Sequence, residues 1–336
     1  DVNELNMAYM KAMENVVKSY PNDSDIQTLY AAAVMNTVPW NYWDNEGNPS
    51  PNIPEAKAAL EKAMELNPDN PGAHHYYIHM VELPKPDLAV PSADKLGDLM
   101  PAAGHIVHMP SHIYIRVGRY KDAVEVNQKA ILADEDYISQ CYAQGMYPLG
   151  YYPHNIHFLW SAASLLGASD IAIDAAKKTA EKVPVGEMEE LHFLQNFAAT
   201  PLLAYTRFGK WNDILTYPKP NDSIKHLKLI WHYARGIAFT KKHNIKEAQE
   251  ESGILAIEAI SSNIFDIDIH LIPENTKEKA HYHYDIRFLL HVTSDEEIIK
   301  NNESKELKWI SKELEQLPEK NPSVIRMFKK WQNLNI

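Results

Sequence analysis

The stretch GRYKDAVEVNQKAILAD, residues 118–134, decides how the chain folds. Gly118 marks a turn, and a helix follows over Lys121–Ala133. The small residues Ala123 and Ala130 let that helix cross close to a neighbour. The same device, a turn residue followed five positions later by a small residue, recurs along the chain. Gly167 with Ala172 and His243 with Ala248 repeat it; Pro51 with Ala56 and Pro84 with Ala89 are looser copies. Gly209 fits as well, with Ile214 in place of the small residue. The turn positions 51, 84, 118, 167, 209 and 243 are separated by 33, 34, 49, 42 and 34 residues. A recurring interval of that size is the mark of a repeat architecture, in which each unit buries its apolar face only against its neighbours.

Residues 118–134 resemble a tetratricopeptide repeat. So does EAKAALEKAMELNP, residues 55–68, which looks like that family's second helix and inter-repeat proline. The resemblance covers roughly residues 21–260 and fades after Ile264. It implies an all-α, right-handed α-solenoid of about six helix pairs, one continuous unit over 1–336, with 261–336 as divergent capping helices. It also implies that first helices line a concave groove. The segments PWNYWDNEG, HHYYIHMVE, AGHIVHMPSHIYIRVGRY and YYPHNIHFLW resemble, in addition, a functionally undefined group of bacterial tetratricopeptide proteins.

Composition narrows the function. The balance of 33 basic against 45 acidic residues, net −12, argues against nucleic acid and anionic membranes as partners. The single cysteine, Cys141, rules out an internal disulfide and a thiolate zinc site; it reads as a buried free thiol. No apolar run reaches the roughly 20 residues of a spanning helix. Asp1–Tyr20 reads as mid-domain helix, so the chain is expected to be trimmed; that start and the group resemblance suggest a periplasmic or cell-surface location and leave a cytoplasmic one open.

The helical reading runs Asn3–Ser19, Asp23–Met35 (capped by Ser24 or Asp25), Glu55–Leu66, Pro71–Glu82, Leu88–Leu99 and Ala102–Val117, the last bent or restarted at Pro110. Lys121–Ala133, Pro153–Leu166, Asp170–Lys182, Gly186–Phe208, Ile224–Lys241 and Lys246–Ile260 continue it. Glu274–Val292, Glu303–Leu317 and Ser323–Asn333 are expected to cap the array. Asp134–Tyr152 is an insertion, read as a lid over the groove.

Eight of the 16 histidines fall between Ala73 and Leu166, in three consecutive first helices. His75, His79 and Glu82 are spaced i, i+4, i+7 on one face; His108, His112 and Arg116 are spaced i, i+4, i+8. His105 joins them or precedes them, His154 and His157 are i, i+3, and His74 points a quarter turn away. Repeat neighbours lie roughly 10 Å apart, close enough for such side chains to meet at a metal. An imidazole-rich, carboxylate-poor set suits copper, iron or zinc rather than magnesium or calcium. The expected ligands are His75, His79, His105, His108, His112, His154 and His157. Glu82 is a candidate ligand or general base, and Arg116 a grip for a substrate carboxylate or phosphate. Tyr114 is the third candidate catalytic side chain.

The leading expectation is a metal-dependent enzyme acting on a small or extended substrate in the groove, oxidative with copper first, hydrolytic as second choice. Its rivals are a peptide- or protein-binding scaffold, the usual role the family resemblance implies, and a metal storage or delivery protein. A second group, His270, His281, His283 and His291, reads as structural.

Overall fold

The computed structural model describes residues 1–44, 46–252, 257–259, 266–272, 281–287, 290–292 and 322–333. The chain divides into two compact units, Asp1–Phe208 and Gly209–Ile336, where the sequence reading expected one continuous array.

The first unit is a solenoid of helix pairs. Its helices are α1 (Val2–Ser19), α2 (Ser24–Met35), α3 (Ile53–Leu66), α4 (Pro71–Val81), α5 (Val90–Leu99), α6 (Gly104–His108), α7 (Pro110–Arg116), α8 (Tyr120–Cys141), α9 (Tyr152–Leu166), α10 (Ser169–Glu181) and α11 (Leu194–Arg207). Each packs on the next in sequence, while α2, α4, α7, α9 and α11 also pack on one another as an inner layer. The repeated turn device works as the pattern implies. Gly118, Gly167, Gly209 and His243 all adopt positive φ, a conformation in which a Cβ is strained, which suits glycine at a helix-to-helix reversal. The residue five positions on is buried at every copy: Ala56, Ala89, Ala123, Ala172, Ile214 and Ala248. Larger apolar side chains such as Leu60, Ile78, Leu96, Ile113 and Ile156 fill the space between layers, each contributing about 1.5–3 kcal/mol by leaving water.

Boundaries depart from the sequence reading where local chemistry overrides the pattern. The cap of α2 is Asp23, whose Oδ1 accepts from the Asp25 and Ile26 amides, rather than Ser24 or Asp25. The Ala102–Val117 segment is split at Met109, because Pro110 cannot donate within a helix and starts a new one. Helix α8 runs on to Cys141, so much of the expected insertion is an extension of α8, and Cys141 is exposed at its end rather than buried. A single π turn, Tyr147–Tyr151, then leads into α9. The stretch from Gly186 is a 3₁₀ turn and irregular chain, and α11 begins only at Leu194.

The second unit holds α12 (Trp211–Thr216), α13 (Lys225–Lys241) and α14 (Ile245–Ser252). The expected helix to Ile260 stops at Ser252, and β1 (Ile257–Ala259) follows. The expected capping helix Glu274–Val292 is replaced by strands. β2 (Asp266–Ile272) pairs antiparallel with β3 (His281–Arg287), and β1 with β4 (Leu290–Val292). The reason is a period of two: DIDIHLI and HYHYDIR alternate apolar and polar residues, and the register sets Ile267 against Ile286 and Ile269 against Tyr284. The expected helix Glu303–Leu317 lies outside the described residues. Helix α15 (Pro322–Gln332) matches the expected final helix.

Candidate metal centre

Four helices carry the site: α4, α6, α7 and α9. Asn70 caps α4 by accepting from the Ala73 amide, and Pro71 fits the first turn. Helix α4 then presents His75 and His79 on one face, with Glu82 as its C-cap residue. The break at Pro110 turns α6 and α7 so that His105, His108 and His112 all face the same space. Helix α9 supplies His154.

Six of the seven expected ligands meet. His75 Nε2 lies 3.3 Å from His105 Nε2, His108 Nε2 lies 3.0 Å from His112 Nε2, and His154 Nε2 lies 3.1 Å from His108 Nε2. Two three-histidine groups result, His75–His79–His105 and His108–His112–His154, each with its ligand atoms within 4.8 Å of one another. The groups adjoin: the His79 and His112 rings are 5.3 Å apart, and His105 and His108 are 6.0 Å apart. Glu82 bridges them, accepting from His112 Nδ1 at 2.8 Å and lying 3.4 Å from His79 Nδ1. His79, Glu82 and His112 form a third group in which a cation fits. Phe158 lies against His108, His112 and His154, with ring centroids 4.6, 4.5 and 4.7 Å away.

The remaining candidates sit elsewhere. His157 packs on Trp160 and Phe197, outside all three groups, because i+3 from His154 turns it toward α11. Tyr114 donates to Asp94 at 2.9 Å beneath the Arg119 guanidinium, on the side facing α5, so it does not serve the histidines. Arg116 Nε is 3.8 Å from Glu82 Oε2, an ion pair with the bridging carboxylate. His74, as its quarter-turn offset implies, is bound away to Ser92 and the Pro68 carbonyl.

Polar groups behind the ligands set their protonation. Asn127 donates its amide to the Ala123 carbonyl at 2.7 Å, so its Oδ1 is the atom that faces His108 Nδ1, also at 2.7 Å. His108 therefore carries its proton on Nδ1 and bares Nε2. Glu82 does the same for His112. Burial alone would raise the Glu82 carboxyl, but the hydrogen bonds from His112 and His79 hold it well below the usual carboxylate range. Burial depresses the imidazoles, with neighbouring imidazoles adding to the effect: His75 falls to about 2, His154 to about 3 and His105 to about 4. His108, fully buried, is pushed down in the same way. These rings are neutral at neutral pH, and their Nε2 atoms approach one another.

Sequence reasoning missed this supporting layer. Asn127 and Asp134 are fully buried on α8. Asp134 accepts from Tyr147 and Asn155 at 2.7 Å each. Gly104 makes room for it: a Cβ there would lie 1.8 Å from Asp134 Oδ1. The signal was legible within residues 118–134. Ala123, Asn127, Ala130 and Asp134 share one helix face, and two polar residues on a small, buried stripe need buried partners.

Above the histidines opens a pocket of about 610 Å³. Its wall comes from the loop after α2, from α4, from the π turn and from α11. Trp43 anchors that loop by donating to the Met80 carbonyl at 2.7 Å, and Trp40, at φ +65°, hangs over His79 with ring centroids 5.1 Å apart. The expected lid is real in part: Met146, Gly150 and Tyr151 line the pocket, and Tyr151 lies 5.0 Å from the His105 ring.

Neither a family model nor a curated protein matches the sequence. A similar chain among solved structures comes from the "Structure of Naa15/Naa10 bound to HypK-THB", at 15% sequence identity and a TM-score of 0.39, covering 72% of this chain. The present chain spans 33% of that chain's length. A likeness this distant says nothing of ligand or partner.

Proposed function

We propose that the protein is a transition-metal protein whose two three-histidine groups hold a pair of ions at the floor of the pocket. One observation carries the reading. His108 Nε2 has a single lone pair, yet His112 Nε2 and His154 Nε2 approach it to 3.0 and 3.1 Å. One of those contacts can be a hydrogen bond. The other sets two bare nitrogens face to face, because Asn127 and Glu82 hold the protons of His108 and His112 on the far side. Such an arrangement needs a shared cation. Protonation is opposed by burial, whereas a metal fits: four ligands at 2.0–2.1 Å in a tetrahedron stand about 3.3 Å apart, close to the spacing here. The carboxylate and amide behind the imidazoles are the supporting partners that metal-bound histidines commonly have.

Imidazole donors favour copper first, with iron or zinc as alternatives. A metal pair opening on a roomy pocket supports oxidative chemistry on a small or extended organic substrate. Storage or delivery would use the same ligands without turnover. The test is elemental analysis of protein purified without an affinity tag, alongside His79→Ala and His112→Ala. The expected result is about two equivalents of one metal, reduced in both variants. Metal content unchanged by both substitutions removes the proposal.

A further inference from the structure

The pocket above the histidines has a chemical character of its own. No lysine, arginine, aspartate or glutamate lines it among the described residues. Imidazoles line its floor, and apart from Asn36 its wall is aromatic and apolar. Three of the wall rings each lean on one histidine of the His75–His79–His105 group: Tyr76 on His75 at 4.9 Å, Trp40 on His79 at 5.1 Å, and Tyr151 on His105 at 5.0 Å. Across the opening stands Phe193. Several of these rings are left in water: Trp40 is 63% exposed, Tyr151 44% and Phe193 43%. Apolar rings exposed singly are ordinary, but a set gathered around one opening marks a binding site. Trp40 also keeps a left-handed backbone that a bulky residue adopts only under strain, retained where it aims a side chain.

We infer that the pocket takes a molecule with an uncharged, planar aromatic body that turns a single polar group toward the histidines. This deepens the metal-centre reading and rests on it for the polar end. Rings offered edge and face accept another ring edge-to-face or offset, an attraction beyond that of the area buried. A charge on the body, away from the floor, would find no counter-charge in the lining and would lose its hydration. The cavity is several times larger than one fused bicycle, so a two-ring probe enters without strain.

The experiment is calorimetric titration of the full chain, purified without a tag, with three matched probes: naphthol, decahydronaphthol, and naphthol bearing a sulfonate on the far ring. Metal content is measured on the same samples. The expected order is naphthol tightest, the saturated analogue weaker by at least threefold and the sulfonate weaker by at least tenfold. Trp40→Ala and Phe193→Ala should each weaken naphthol severalfold without changing metal content. Equal binding of all three probes, or no binding of naphthol to metal-replete protein, overturns the inference. Naphthol bound in the expected order by protein that never holds metal upholds the aromatic pocket and defeats the metal reading instead.

Discussion

Asn127 and Glu82 each hold one imidazole by its Nδ1 and so decide which nitrogen faces the cluster. Removing either should loosen metal without emptying the pocket of ligands. Asn127→Leu and Glu82→Gln are each expected to weaken metal binding by about 10–100-fold, read by chelator competition. Affinities equal to the parent's would mean that the rings are oriented by packing alone. Gly104 is a second decisive position. Any side chain there drives a Cβ into Asp134 and the Ala130 carbonyl. Gly104→Ala should cost about 1–3 kcal/mol in denaturant unfolding, and because α6 carries His105 and His108 it should lower metal content as well. An unchanged midpoint would show that α6 can shift without penalty.

Among the elements, the π turn over Tyr147–Tyr151 is the one that joins the insertion to the site. It is held by the Tyr147 hydroxyl on Asp134, and it delivers Tyr151 to the His105 ring. Tyr147→Phe leaves Asp134 short of a donor and should raise hydrogen exchange at the amides of residues 149–152 relative to those of α10. Unaltered exchange would place the anchor elsewhere. At this scale much of the fold was legible. The turn-plus-small-residue device located the helix reversals because positive φ and a buried crossing residue are local demands that a sequence must meet openly. The β2–β3 ribbon was also legible, since Ile267, Ile269 and Leu271 alternate with Asp266, Asp268 and His270; extending helical spacing past Ile264 hid it. The i, i+4 pairs foretold four of the six converging histidines, His75, His79, His108 and His112, for the same local reason. The misplacement of His157 and Tyr114 has a different origin. A residue's face on its own helix says nothing of which neighbour that face meets, and only the packed array shows α11 beside one and α5 beside the other.

For the molecule as a whole, a cluster of buried neutral histidines makes stability depend on pH. Folded His75, His154, His105 and His157 titrate at about 2, 3, 4 and 4, because burial disfavours their charged form. In the unfolded chain they titrate near 6.5. Between those values the unfolded state binds more protons, so stability rises with pH up to about 6.5 and is lost on acidification below it. Glu82, held below its ordinary value, acts in the same direction at still lower pH. The melting temperature of metal-free protein should therefore fall steadily from pH 7 to pH 4, and a flat profile would show these rings to be solvated. Bound metal should offset part of the loss, by about 2.7 kcal/mol when free metal is a hundred times its dissociation constant.

The six converging histidines all lie between positions 75 and 154, on helices α4 to α9 of the first unit. Their contacts span 4 to 46 residues, all within the first half of the chain. A nascent chain stalled soon after Leu166 has cleared the ribosome thus already carries every donor in its final neighbourhood. On the proposed function, ion capture can then accompany translation rather than wait for its end.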